Sequence, residues 1–477
     1  MNLNKKNLTK INNDCSYVDK KLNEKWLHIG SGNFHRAHQA YYLHKLLKKR
    51  LCDWTIVDFE IINSKKNKRF NHDIKKQDHL YTLLTKDKKK EKFILGSISK
   101  FFLNNKKNLN YIKKNITNNI LKLVTITVTE NGYYIDNGHF VINNKDIQYD
   151  LKSDEFKFKT IYGMLFFILK NCINTKIKIT VISCDNIENN SQNLRNSFKI
   201  FCSKKNIKFV KDIDKYLIFC NSMVDRITPK YNNKTKKEIK SQFNYNDNCH
   251  VESENFISWI IQQNKKTDLP PLEKVGVKFV KNISSYQEMK MKILNASHCS
   301  TSFLASLDKK KFVYESFNDK KFVMFIDSYM KKDVIPYLKK DFYNYKLFLN
   351  TVLKRFSNKA VPDLIERTTI NGSKNLEIFI CGSMKNNFLK KKNMKRFALI
   401  FASWYIFINK RKKFEDDSYS YLKIYLKKYK DPVTFIQKIT QPSIKYLIDD
   451  NFKNKFIFYI KLIKNKKLKL AINDAAK

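Results

Sequence analysis

Short β-branched runs alternate with amphipathic stretches through the first half of the chain, and long helical periodicities fill the second. "EKWLHIGSGNFHRAHQAYYLHKLLKK" (24–49) begins as an apolar strand, turns through Gly30 and Gly32, and continues with helical spacing. That spacing puts Ala37, Ala40, Tyr41, His44 and Leu47 on one face. "DWTIVDFEII" (53–62) reads as a strand, "LKLVTITVTENGYY" (121–134) and "TKIKITVISCDN" (175–186) read as β-branched strands ending in polar turns, and "KTIYGMLFFILKNCI" (159–173) reads as a helix between the last two. Strands alternating with helices predict a parallel α/β sheet. The adjacent prolines of "KKTDLPPLEKVGVKFVKNIS" (265–284) mark a boundary. Beyond it, helices are expected over 286–306, 321–338, 394–410 and 417–430. The predicted architecture is an α/β Rossmann-type domain over 1–280 followed by a mainly α-helical domain over 281–477.

Composition changes this picture little. At 477 residues with 42% hydrophobic positions the chain can bury more than one core. Its formal charge of +50 would ordinarily suggest nucleic acid or an anionic membrane. Only nine of the 94 basic residues are Arg, however, and Gly and Pro are scarce, a skew that matches the coding bias of an AT-rich genome. No basic stripe or recognition element emerges, so neither a specific nucleic acid nor a membrane is expected as a partner. "KDKKKEK" (86–92) reads as a solvated loop. The apolar run "FALIFASWYIFI" (397–408) is too short to span a bilayer and reads as a core helix. Nine cysteines without a CxxC pair or zinc spacing predict reduced thiols, no metal and a cytoplasmic setting. A monomer or weak oligomer is expected.

"GSGNFH" (30–35) supplies two glycines of a dinucleotide-binding turn, with His35 at the third glycine position. Gly30 permits the bend, and Gly32 lets backbone approach a pyrophosphate. The candidate cofactor residues are therefore Ile29, Gly30, Ser31, Gly32, Asn33, Phe34, His35 and Arg36. At this point the chain resembles the long-chain, metal-independent polyol dehydrogenases of the mannitol dehydrogenase family, whose signature is GxGxFHRxHQ. The resemblance continues through "TVTENGYY", "KTIYGMLFFIL", "SCDNIENN", "NSMVDRITP", "ILNASHCS" and "VLKRFSN". Its "WLHIG", "ILNASH" and "FVYES" look most like the D-arabinitol 4-dehydrogenase branch. The resemblance implies NAD as cofactor and D-arabinitol and D-xylulose as substrates. Mannitol 2-dehydrogenase and hexuronate reductase activities are the alternatives. A different class, an inactive basic binding protein on a dehydrogenase fold, is the contrasting reading.

At about 100° per residue, Lys290 at 0°, His298 at about 80° and Asn295 at about 140° share one side of a helix, with Lys292 opposite. A lysine, an imidazole and an amide suit secondary-alcohol oxidation, which needs a base for the hydroxyl proton and donors for the developing alkoxide. The resemblance implies Lys290 as general base, His298 as the orienting residue, and Asn295 with Asn186 polarising the substrate oxygen. It places Asp225 and Arg367 on the substrate, and Lys374 too unless a shortened "INGSKNLE" loop (370–377) puts Asn375 there instead. The alternative reading of Asp225 is a partner holding Arg226. The reacting groups are expected in a cleft between the two domains.

Two departures stand out. Gln287 occupies the place where the family has a proton-gating glutamate, with Glu288 next. After the second strand come Asp58 and Glu60, but Ser64, Lys65 and Lys66 occupy the place where a ribose-binding acid is expected, leaving NADP open. His28, His38 and His44 read as packing or capping residues, Cys184 as packing beneath its turn, and Cys299 as a thiol without a nucleophilic role. Tyr133 and Tyr134 read as either cofactor-pocket walls or core.

Overall fold

The computed structural model describes residues 1–11, 15–87, 89–136, 138–153, 157–229, 231, 233–263, 267–338, 344–439 and 447–477. The chain divides into two units, Met1–Ser284 and Ser285–Lys477.

In the first unit, β1 (Asn23–Ile29) leads through a short α1 (Asn33–Ala37) into α2 (Gln39–Lys48) and β2 (Trp54–Glu60). α3 (Lys65–Lys76), the hairpin β3 (Tyr81–Lys86) and β4 (Lys90–Leu95), then β5 (Ile98–Leu103) and α4 (Lys106–Thr117) follow. β6 (Leu123–Ile126), α5 (Ile161–Thr175), β7 (Ile179–Ser183), α6 (Asn190–Lys205) and β8 (Leu217–Cys220) complete the main sheet. Its order is β8-β7-β6-β1-β2-β5, with every pairing parallel. This is the doubly wound arrangement, and its order reverses between β1 and β6.

Both faces of the sheet are buried, as parallel sheets require. Trp26, Ile56, Leu123 and Ile182 enter one core, whereas Leu27, Ile29, Val57, Phe59, Val124 and Ile126 enter the other. Register fixes the functional edge. Ile29 pairs with both Phe59 and Ile126, so Gly30, Glu60 and Thr127 leave the sheet side by side. Two small sheets flank it: β9 (Ser222–Asp225) with β11 (Ser258–Gln262) and β12 (Lys278–Val280), and β10 (Val251–Ser253) with the β3–β4 hairpin.

Within 121–134 the strand ends at Ile126 and the polar turn follows, the Val128 and Thr129 N–H groups donating to Asp185 at 3.0 Å each instead of continuing a ladder. The structure corrects one expectation here. The run 86–92, read as a solvated loop, begins and ends in strands, residue 88 lying outside the described residues. Lys86 is buried there because Glu238 and Glu252 neutralise it at 2.9 and 3.0 Å.

The second unit is helical. α7 (Ser284–Met289) and α8 (Ala296–Leu307) are joined by a π-helical stretch, Lys290–Asn295, into one nearly continuous rod. α9 (Lys320–Tyr329), α10 (Tyr345–Phe356), α11 (Gly372–Leu376), α12 (Gly382–Leu389), α13 (Lys395–Lys410), α14 (Tyr419–Lys428), α15 (Asp450–Lys464) and α16 (Leu468–Ala476) follow. α13 carries the apolar run, and Arg396 to Ile408 are all buried. Arg396 is tolerated there because its guanidinium pairs with the buried Asp333. Among the described residues, no helix is long and apolar enough to cross a membrane.

Candidate active site

Gly30 closes β1 at φ +94°, and a Cβ there would meet the Thr127 carbonyl oxygen at 2.1 Å. Only glycine fits both constraints. The turn is held from below: the Thr127 hydroxyl donates to the Gly30 carbonyl at 2.6 Å, and His28 Nε2 lies 3.0 Å from that carbonyl and 2.9 Å from Thr127 Oγ1. Burial and the neighbouring His35 hold the His28 imidazole well below its usual range, so it is neutral. Gly32 differs in kind. Its backbone is extended, and a Cβ would meet nothing of the protein within 4 Å. That Cβ would project into a cavity of about 1160 Å³. An opening at this glycine suits close approach of a dinucleotide backbone.

Ile29, Gly30, Ser31, Gly32, Asn33 and Arg36 line the cavity. Phe34 and His35 are not among its lining residues. Phe34 stacks on His38, while His35 is fully buried, stacks on His28 with ring centroids 3.3 Å apart, and pairs with Asp58 at 3.1 Å. His38 sits at the break between α1 and α2, its Nε2 2.9 Å from the Ser258 carbonyl, and His44 contacts the Tyr17 hydroxyl at 2.8 Å. The adjacent tyrosines separate: Tyr134 lines the cavity, whereas Tyr133 is buried with its hydroxyl on Asp185 at 2.8 Å.

Glu60 lies beside the glycine turn. It lines the cavity, accepts the Ser31 N–H at 2.8 Å and the Asn67 amide at 3.2 Å, and is pushed up to about 7 by burial and by Asp58 two residues back. Asp58 accepts the Ser31 hydroxyl. Sequence reasoning looked past Glu60 to the loop; the signal available was its place as the last residue of the second strand.

Asn186 is exposed on the turn after β7, next to Asp185, whose carboxylate holds the Val128 and Thr129 N–H groups and the Tyr133 hydroxyl. Burial pushes Asp185 up to about 6. Cys184 is buried beneath this turn. Asp225 ends β9 and is buried, while Arg226 is held by the carbonyls of Glu254 and Ala37.

In the second unit, Lys290 is buried, and Asn295 and His298 are half-buried. The π-helical stretch changes the angular arithmetic. The Ala296 N–H reaches back five residues to the Met291 carbonyl, so the turn is wider than an α turn. Residue 295 therefore comes round to about one full turn from 290 instead of overshooting it. His298 packs on Phe356, ring centroids 3.8 Å apart, and the Asn295 amide lies 3.3 Å from Met291 Sδ. A further π-helical stretch, Glu377–Cys381, leads into Gly382, where a Cβ would stand 2.7 Å from Lys292 Nζ. Arg367 presents a half-exposed guanidinium braced on Asp363, with Nε to Oδ1 at 2.6 Å. Lys374 is exposed on α11, whereas Asn375 is half-buried and donates to the Ile370 carbonyl at 2.9 Å. Gln287 is buried, and burial pushes the Cys299 thiol upward, leaving it un-ionised. Among the described residues, no group of three or more His, Cys, Asp or Glu side chains could hold a metal ion.

Residues 24–274 match the mannitol dehydrogenase Rossmann domain and residues 282–466 the mannitol dehydrogenase C-terminal domain. Mannitol dehydrogenase 2 of Saccharomyces cerevisiae is 32% identical over 393 residues, covering 80% of this chain and 77% of that protein. D-arabinitol 4-dehydrogenase of Klebsiella pneumoniae is 31% identical over 388 residues, covering 80% and 84%. The solved structure of Pseudomonas fluorescens mannitol 2-dehydrogenase, a ternary complex with NAD and D-mannitol, matches with a TM-score of 0.87 at 27% identity over 99% of both chains. A doubly wound domain with a glycine turn opening on a large cavity, a helical domain carrying Lys290, Asn295 and His298 on one rod, and these matches over nearly the whole chain place the protein in the mannitol dehydrogenase family of polyol dehydrogenases.

Proposed function

We propose that the protein is an NAD-dependent secondary-alcohol dehydrogenase that interconverts D-arabinitol and D-xylulose, with Lys290 as general base. The observation that carries this reading is a buried lysine in a π-helical turn, with an amide and an imidazole on the same rod. A lysine works as a base only where its surroundings disfavour the charged form, and Lys290 is buried. Lys290 takes the hydroxyl proton. Asn295 and Asn186 donate to the oxygen as it gains charge, and His298 orients substrate and lysine. Asp225, Arg367 and Lys374 hold the remaining substrate hydroxyls. Ile29 to Asn33 and Arg36 hold the dinucleotide, with Phe34 and His35 supporting the turn through packing. The bound nicotinamide supplies the acceptor for the hydride leaving carbon 4. Nine cysteines, none of them in a disulfide, fit a reducing, cytoplasmic setting.

A second reading, mannitol to fructose, is favoured by the names of the yeast and Pseudomonas relatives. NADH oxidation with D-xylulose, D-fructose and D-fructuronate side by side separates them. Preference for D-xylulose supports the arabinitol reading and shows that Gln287 does not disable proton exchange. Preference for another ketose keeps the mechanism and changes the substrate. No turnover with any of them, in folded protein, refutes the enzyme reading in favour of a dehydrogenase fold turned to binding.

A further inference from the structure

We propose that Asp58 is a positioning residue for the dinucleotide: its buried carboxylate holds Ser31 and, with His35 and His28, fixes the shape of the glycine turn before a cofactor arrives. The inference rests on the dinucleotide reading of this cavity. Asp58 lies on β2, two residues before its end, fully buried and not among the residues that line the cavity. One carboxylate oxygen accepts the Ser31 hydroxyl, and the other lies 3.1 Å from His35 Nε2. His35 comes from α1 and stacks on His28 of β1, ring centroids 3.3 Å apart and planes within 10° of parallel. His28 Nε2 in turn stands 3.0 Å from the Gly30 carbonyl oxygen. The contacts therefore form a closed circuit, from Gly30 through His28, His35 and Asp58 to Ser31, the next residue in the chain.

Stability alone does not account for these side chains. A carboxylate and two imidazoles taken out of water carry a desolvation cost, and apolar side chains of similar volume commonly pack as well or better. What the polar contacts add is direction. A hydrogen bond to Ser31 holds over a narrow range of distance and angle, and the stacked rings tie that hydroxyl to the strand and the short helix on either side of the turn. Ser31 lines the cavity, yet its hydroxyl is committed to Asp58 and its N–H to Glu60. Both groups point inward, so the turn meets a ligand with its shape: the open backbone at Gly32, whose N–H closes on the Gly30 carbonyl at 2.8 Å. A turn held in this way binds without first being ordered, which removes part of the cost of association.

The test is fluorescence titration of NADH, with steady-state kinetics on the same samples, for the parent, Ser31→Ala, Asp58→Asn and the double variant. Each single substitution should raise the NADH dissociation constant by about tenfold, as loss of a hydrogen bond to a charged group allows. Both cut the same link, so the double variant should also lose about tenfold, not the roughly hundredfold of independent sites. The loss should fall on KM for NADH and not on kcat, because neither side chain touches the reacting atoms. A folded Asp58→Asn protein with parental NADH affinity, an additive double variant, or a fall in kcat at unchanged KM overturns the proposal while leaving the dinucleotide site standing. Should Asp58→Asn fail to fold, Ser31→Ala decides by itself: parental affinity overturns the proposal, and a tenfold loss confined to KM supports it. Absence of NADH binding by the folded parent overturns the dinucleotide reading, and this proposal with it.

Discussion

Gly30 and Gly32 stand two residues apart, yet substitution should fail at each for a different reason. At Gly30 any side chain meets two penalties. The φ of +94° lies in the left-handed region, and the new Cβ would sit 2.1 Å from the Thr127 oxygen and 2.9 Å from its carbonyl carbon. Neither atom can give, because Thr127 belongs to the backbone beside the turn and its N–H is bonded to Ile29 at 2.9 Å. Strain of this kind costs on the order of 1–3 kcal/mol for the backbone alone, and the clash adds to it. Gly30→Ala should therefore lose at least about 3 kcal/mol of stability, a large share of the few-to-fifteen that hold a domain together. At Gly32 the backbone is extended, at φ −78° and ψ 176°, and no protein atom lies within 4 Å of where a Cβ would stand. Gly32→Val should change stability by less than about 1 kcal/mol, since the folded chain already adopts a conformation that a β-branched residue favours. Its methyls instead occupy the cavity, so NADH binding should weaken by at least about tenfold, or about 1.4 kcal/mol. Denaturant unfolding followed by fluorescence titration of NADH measures both quantities on the same samples. A Gly32→Val protein that binds NADH as tightly as the parent would refute the assignment of this cavity to the dinucleotide. A Gly30→Ala protein of parental stability would refute the steric argument for the turn.

Lys290→Ala should reduce turnover by about 10²–10⁴-fold while NADH binding stays within twofold or so, measured by steady-state kinetics and titration. Loss of both together would make Lys290 a structural residue. Asp333→Ala leaves Arg396 charged and buried without its partner, and should cost about 3–5 kcal/mol in denaturant unfolding. A cost below about 1 kcal/mol would mean that the guanidinium finds water or other acceptors. Because Glu60 is an acid raised to about 7 in the folded chain, its contribution is most favourable while it stays protonated and is lost as pH rises through that value. Glu60→Gln should therefore stabilise the protein more at pH 8 than at pH 6, by about 1 kcal/mol, the larger part of the loss having accrued below pH 6. An equal effect at both pH values would show that Glu60 is not protonated in the native state near neutrality.

The primary sequence carried the main-sheet alternation, the glycine turn, the core helix at 397–408 and the grouping of Lys290, Asn295 and His298, because each depends on neighbours a few residues away. Strand and helix periods, a bend that needs glycine, and residues spaced along one rod are local properties. Tertiary contacts decided what local pattern could not carry. Lys86 reads as solvated by its neighbours and is buried because Glu238 and Glu252 arrive from more than a hundred residues away. The strand after Leu123 is cut short by Asp185, which comes from the adjacent β7 end of the sheet. His35 and Phe34 sit within the signature but pack against His28 and His38, contacts that the signature's spacing alone does not state. Asn295 is drawn toward the bearing of Lys290 by a π-helical turn that no 3.6-residue periodicity encodes. Glu60 acquires its place only when parallel register sets the ends of β1, β2 and β6 level, bringing a carboxylate 29 residues away onto the Ser31 N–H. Short-range periodicity sets which elements form; register and the charges that meet across them set which side chains reach the cavity and in what state.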